Sequence, residues 1–178
     1  ALAEAKLNFE AAITYLREKG LASAAKRADK ATSEGTVGFY IHAGGKVGVM
    51  VEINCETDFV AKTEEFQSFA KDISMHIAAL NPLYVKREDV PQDVIDKERS
   101  IYKTQALESG KPEKVIEKMV DGKIEKFFQE ACLLEQSFVK NPDTTVKELL
   151  TATIAKLGEN MSIRRFARFK VGEGPVKN

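Results

Sequence analysis

The chain has 178 residues, with 27 basic and 27 acidic side chains and a formal net charge of zero. Proteins that grip nucleic acid through many phosphates carry an excess of Lys and Arg, so this balance speaks against nucleic acid and for a protein or small-molecule partner. With 43% hydrophobic and 30% charged residues the chain can bury a core, yet no apolar run approaches the roughly 20 residues of a membrane-spanning helix.

Leu2, Phe9, Ile13 and Leu16 recur at helical spacing, with Gly20 placed as a C-terminal stop and Asn8 as an alternative N-cap within the run. A linker helix is expected over 21–30. The chain opens at Ala1 without Met and without a basic-then-apolar leader, already inside this helical pattern, so the natural N-terminus is expected to lie upstream.

From Thr36 the period changes to two. Val37, Phe39 and Ile41 alternate with Gly38, Tyr40 and His42, and Val47, Val49, Val51 and Ile53 alternate likewise. Ala43-Gly44-Gly45-Lys46 between them is a hairpin turn, because glycine accepts positive φ without steric cost. Thr63 is placed to cap a helix carrying Phe66, Phe69, Ala70, Ile73, Ile77 and Leu80, closed by Pro82. Residues 92–132 read as two long helices, with Pro91 at the start of the first and Gly110 and Pro112 at the turn between them. Thr145-Val146-Lys147-Glu148 is a capping box that opens another helix, ending near Gly158. Met161 to Val171 reads as a strand, with Met161, Ile163, Ala167, Phe169 and Val171 as its apolar set. The predicted class is α+β, with a small antiparallel sheet (hairpin plus C-terminal strand) packed with a long helical middle.

Templates for catalysis fail. His42 and His76 stand at no metal-ligand spacing. Gly45-Lys46 resembles the end of a P-loop, but Tyr40 and Val47 occupy positions where that loop needs Gly and Ser or Thr. No nucleophile elbow is present. Two cysteines, Cys55 and Cys132, make no disulfide framework and point to a reducing compartment. Cys55 with a histidine is the one thinkable nucleophile pair, and a small buried residue is the plainer reading of it. The basic strand residues Arg164, Arg165, Arg168 and Lys170 give an alternative reading, a ribosome- or RNA-associated binding protein.

The most informative stretch is Val51 to Lys62, which leaves a strand through Asn54-Cys55-Glu56 and ends in Thr57-Asp58-Phe59-Val60 before the next helix. It resembles the Thr-Asp-Phe-Val signature of the elongation factor Ts family. Agreement extends, in family order, over Glu10-Ala11-Ala12-Ile13, Leu16 to Gly20, Met75 to Ala79 with Pro82, Gly110-Lys111-Pro112, Glu117 to Val120, Gly158-Glu159-Asn160, Ile163-Arg164-Arg165 and Val171 to Gly174. The resemblance implies a partial, ubiquitin-associated (UBA)-like N-terminal module and linker helix over 1–34, a core and dimerisation domain over 35–172, and a tail over 173–178. Only one core copy is present where long members have two, so the short form and a homodimer are implied.

The implied function is guanine nucleotide exchange on elongation factor Tu, in its GDP-bound and nucleotide-free forms, with no enzyme chemistry, cofactor, membrane or direct nucleic-acid contact. Thr57, Asp58, Phe59 and Val60 are the implied partner-binding residues, Phe59 acting as a wedge beside the partner's nucleotide and Mg²⁺. Taken alone, Phe59 would instead be read as core at the foot of the following helix. His42 matches a family His-Gly turn that approaches the GTPase, although Ala43 stands where that turn has glycine. The implied compartment is the bacterial cytoplasm, with an organelle matrix as the alternative.

Overall fold

The computed structural model describes residues 4, 8–108, 110 and 112–174. Leu2 of the first predicted stripe, Lys111, and the end of the predicted tail lie outside them. The fold is α+β: helix α1 (Phe9–Arg27), strands β1 (Glu34–Ile41) and β2 (Val47–Cys55), helices α2 (Asp58–Ala61), α3 (Glu64–Leu80), α4 (Gln92–Leu107) and α5 (Glu113–Ala131), strands β3 (Ser137–Phe138) and β4 (Asn141–Thr145), helix α6 (Val146–Leu157) and strand β5 (Met161–Lys170). The main sheet is antiparallel with order β1-β2-β5, as the hairpin-plus-last-strand pattern predicts. The β3–β4 pair is too short to carry a periodic signal in the sequence.

Strand β2 is the centre of the core. Val49, Val51, Ile53 and Cys55 are buried beneath Phe66, Phe69, Ala70, Ile73 and Ile77 of α3. That helix can come close because β1 offers Gly38 opposite Val51. A Cβ at Gly38 would stand 3.0 Å from Ala70 O and from Ser74 Oγ. The apolar set Val37, Phe39 and Ile41 therefore points away from α3 and is exposed. In β5 the register shifts between Glu52 and Ile53, where Arg164 is the extra residue. The bulge reverses the facing of the strand: Met161 and Ile163 enter the core, whereas Phe169 and Val171 join Phe39, Ile41 and Met50 on the open face. The strand's apolar residues thus divide between two faces instead of lining one.

Gly20 does not end the first helix, which runs on to Arg27 and absorbs the predicted linker helix. Its N-cap is Asn8, whose side chain accepts from the Ala11 N–H. A Cβ at Gly20 would lie 3.1 Å from the Ala155 Cβ, so this glycine lets α1 approach α6. The other predicted ends hold. Thr63 caps α3, Asn81 closes it in the left-handed conformation, and Thr145 and Glu148 form a complete capping box. Gly158 closes α6 at φ 74°.

Helices α4 and α5 pair with each other around a smaller core of Val90, Ala106, Ile116, Val120, Ile124 and Phe128. Arg87 ties the base of this hairpin to the rest, pairing with both Glu125 and Glu135 and lying 4.6 Å from the Phe128 ring centroid. His76 is fully buried: its Nε2 pairs with Gln136 Oε1 at 2.9 Å and its Nδ1 accepts from Val139 N–H at 3.2 Å. That is a structural role. Among the described residues, no helix is long and apolar enough to cross a membrane.

The close approach at Gly38 is testable against an open glycine. Gly38→Val should lower unfolding free energy by about 1–3 kcal/mol through overpacking. Gly122 lies in the middle of α5, and a Cβ there would meet nothing within 4 Å. Gly122→Ala should therefore raise unfolding free energy by about 0.5–1 kcal/mol. Urea unfolding of the two variants beside the parent chain checks both signs.

Candidate functional site

Beyond Cys55 the β2–β5 ladder ends at the Cys55–Met161 pair, and the chain turns outward. Thr57 adopts an extended conformation (φ −130°, ψ 154°) and its side chain accepts from the Val60 N–H, which starts the single turn α2. Ala61, at the end of that turn, is buried in the main core, and Val60 packs against it partly buried. Their anchoring leaves the opposite side of the turn to Phe59, which is 79% exposed. The reading of Phe59 as a core residue is thereby overturned: the core place at the start of the next helix is taken by Phe66, which is fully buried.

Asp58 stands beside the ring and forms an i,i+4 ion pair with Lys62 at 2.7 Å. The Lys62 hydrogen bond holds the Asp58 carboxyl below its ordinary range, so it is ionised at neutral pH. The base of the turn is fixed from the C-terminal part of the chain. The Thr57 N–H donates to Glu159 Oε2 at 3.0 Å and its hydroxyl donates to Glu159 Oε1 at 2.7 Å. Glu56 Oε1 in turn accepts from the Asn160 N–H at 2.6 Å, a bond that holds the Glu56 carboxyl below its usual value. Glu56 also pairs with Lys30 at 3.2 Å. Residue spacing offered no signal for this cluster, because its two halves lie a hundred residues apart; only the family likeness singled out Gly158-Glu159-Asn160.

The structure does not bring His42 to this turn. It lies at the other end of the sheet, where its N–H donates to Val47 O at 2.9 Å and Nδ1 pairs with the Tyr40 hydroxyl at 3.1 Å. The length of β2, roughly 25 Å at the usual strand rise, separates the Val47 end from the Cys55 end. Cys55 and Cys132 are buried free thiols. Burial pushes both thiols up, Cys132 to about 11, and the Cys55 thiol donates to Thr57 O at 3.1 Å. A neutral, enclosed thiol is a poor nucleophile, which counts against a thiol enzyme. The basic strand carries its own counter-charges: Arg164 and Arg165 both pair with Glu52, and Arg168 and Lys170 both pair with Glu173. Four cations share two carboxylates, so the pairs reduce the strand's positive charge without cancelling it.

An exposed aromatic ring on a capped, anchored turn has the chemistry that protein interfaces use, since aromatics that fill a partner's pocket supply much of the binding energy there. The fold and site define an α+β protein with an exposed aromatic on a capped, anchored turn. Comparison with known proteins gives the family. The model of the family described as Elongation factor TS matches residues 4–173. The chain is 65% identical over 177 residues to Elongation factor Ts of Carboxydothermus hydrogenoformans, covering 99% of this chain and 82% of the relative. It is 62% identical, with the same coverage, to that of Geobacter sp. strain M21, and 60% identical over 174 residues to that of Thermoanaerobacter sp. strain X514, at 98% and 85% coverage. The chain belongs to the elongation factor Ts family. That membership implies a nucleotide exchange factor for elongation factor Tu in translation elongation.

Exposure of the ring sets a stability contrast. Phe59→Ala should change unfolding free energy by no more than about 0.5 kcal/mol, as surface substitutions do. Phe66→Ala should cost about 3–5 kcal/mol, as buried Phe truncations do. Denaturant unfolding of the two variants reads the difference directly.

Proposed function

We propose that this chain accelerates GDP release by pressing the Thr57-Asp58-Phe59-Val60 turn into elongation factor Tu beside the nucleotide and Mg²⁺, with the Phe59 ring as the wedge. The observation that carries this reading is the exposed Phe59 ring on a turn whose other residues are anchored. A ring on a slack loop would fold back or yield on contact; a ring on a fixed turn transmits the force of docking. Mg²⁺ demands near-ideal octahedral oxygen ligation, so a small displacement of its surroundings weakens nucleotide binding. Linkage then gives exchange: whatever favours the nucleotide-free partner for this chain must weaken GDP binding by the same factor. No covalent step is needed. Asp58, ionised and held by Lys62, steadies the turn and offers a polar contact.

We further propose that the chain works as a homodimer joined through the open face of the sheet. Val37, Phe39, Ile41, Met50, Phe169 and Val171 are all exposed there, and the Glu52–Arg165 pair on the same face is closed on itself at 2.7 Å. A continuous apolar face of this kind is rare on a monomer. Stacking it on a second copy, sheet against sheet at about 10 Å, would bury the same apolar side chains on both copies. His42 lies at the far end of this face from Phe59, so on either protomer the two would meet different parts of a partner.

Two experiments follow. Stopped-flow release of fluorescent GDP from elongation factor Tu, at saturating factor, should be at least about tenfold slower with Phe59→Ala, a rise of about 1.4 kcal/mol in the barrier. Asp58→Ala should show a smaller loss, and release unchanged by Phe59→Ala would refute the wedge. Sedimentation at tens of micromolar, an ordinary range for such association, should give a dimer for the parent chain and a monomer for Phe39→Asp. A monomeric parent chain would refute the sheet-to-sheet dimer.

A further inference from the structure

Where the β2–β5 ladder stops, two glutamates continue the join between the strands' ends. Glu56, leaving β2, reaches across to the N–H of Asn160 at 2.6 Å. Glu159, entering β5, reaches back to the N–H and hydroxyl of Thr57 at 3.0 and 2.7 Å. Asn160 Nδ2 then donates to Lys30 O at 2.8 Å and Ala28 O at 3.3 Å, tying the end of α1 into the same knot. Gly158, at φ 74° and ψ 14°, turns the chain between α6 and Glu159.

We propose that Glu159 is a positioning residue for nucleotide exchange: its carboxylate grips both donors of Thr57 and thereby fixes the direction in which α2 presents Phe59. The proposal rests on the reading of Phe59 as the wedge. The chemistry asks for a carboxylate. Thr57 has one hydroxyl proton, and Glu159 Oε1 takes it, which leaves an oxygen lone pair for the Val60 N–H that caps the turn. Two donors on one residue meet two acceptor oxygens, a bidentate match that fixes orientation as well as distance. An amide in place of the carboxylate has one acceptor. Its NH₂ must face either the Thr57 N–H, donor against donor, or the hydroxyl, which must then accept from it and turn its own proton away from residue 159. The fold itself does not need this grip, since the core beneath α2 is closed by Ala61 and Val60. What needs it is the angle of the turn, and misplacement of a working group by an ångström costs rate far more than it costs binding.

The test uses Glu159→Gln, Thr57→Val and Thr57→Ser in fluorescent GDP release from elongation factor Tu, titrated with factor so that the saturating rate and the half-saturating concentration separate, with thermal melting alongside. Glu159→Gln should lower the saturating rate about tenfold, leave half-saturation within about threefold and keep a cooperative melt. Thr57→Val should do the same from the other side of the contact, and it carries the test if Glu159→Gln does not fold. Thr57→Ser, which keeps both donors, should lose less of the saturating rate than Thr57→Val. In a double variant with Phe59→Ala, Glu159→Gln should add less than about twofold, because groups acting as one unit are not additive. Parent-like release by Glu159→Gln, a loss confined to half-saturation, full multiplication with Phe59→Ala, or a Thr57→Ser as slow as Thr57→Val would each overturn the proposal. If Phe59→Ala alone leaves release unchanged, the wedge itself is wrong and the proposal falls with it. If Phe59→Ala slows release and Glu159→Gln does not, the wedge stands and the grip alone is wrong.

Discussion

Everything at the contact turn depends on how β2 is buried. Val49, Val51, Ile53 and Cys55 lie at or near zero exposure under α3, and burying side chains of this size stabilises a fold by about 1.5–3 kcal/mol each. A strand held so firmly cannot slip, because a shift of one residue would turn its buried set to the other side. The place and direction of its exit at Cys55 are therefore fixed, and so is the start of the turn that follows. The same constraint gives the sheet two unlike faces. Gly38 yields its side of β1 to α3, so β1 shows its apolar side chains on the open face.

Rigidity at one end and exposure at the other are what the proposed wedge requires. Binding energy spread over a surface lowers the free energy of every partner state it touches, and only an interaction that differs between states shifts their balance. A single ring projecting from an anchored turn concentrates the difference at one place. The anchor has two parts, hydrogen bonds from the Glu56 and Glu159 carboxylates at the base and packing of Val60 and Ala61 into the core, while the ring itself touches little of its own chain. Under the proposed wedge, such a division places the fold's stability and the exchange activity on different residues.

Much of the architecture could be read from the sequence because its signals are local. The Gly44-Gly45 turn, the caps at Thr63 and Thr145 and the stop at Gly158 each depend on residues within one turn of each other. The failures have one cause as well, which is that glycines and alternation do not say what they face. Gly20 reads as a stop, yet it serves the close passage of α1 over α6, a contact with Ala155 that is remote in sequence. Alternation in β5 hid a bulge at Arg164, so its apolar residues split between faces. The contact turn was legible only through its family likeness. Composition favours burying a Phe, and nothing short of the tertiary anchoring of Val60 and Ala61 tells that this one is turned out. The grip of Glu159 on Thr57 joins residues a hundred positions apart and has no local signature at all.

The central claim is that Phe59 distinguishes between states of the partner instead of adding to affinity for all of them. Calorimetric titration of this chain, and of Phe59→Ala, into GDP-bound and nucleotide-free elongation factor Tu measures that directly, because the ratio of the two dissociation constants is the coupling between factor and nucleotide. The account predicts that Phe59→Ala narrows the ratio by about tenfold or more, equivalent to about 1.4 kcal/mol of coupling, chiefly by weakening the nucleotide-free complex. Equal weakening of both complexes, with the ratio unchanged, would contradict it.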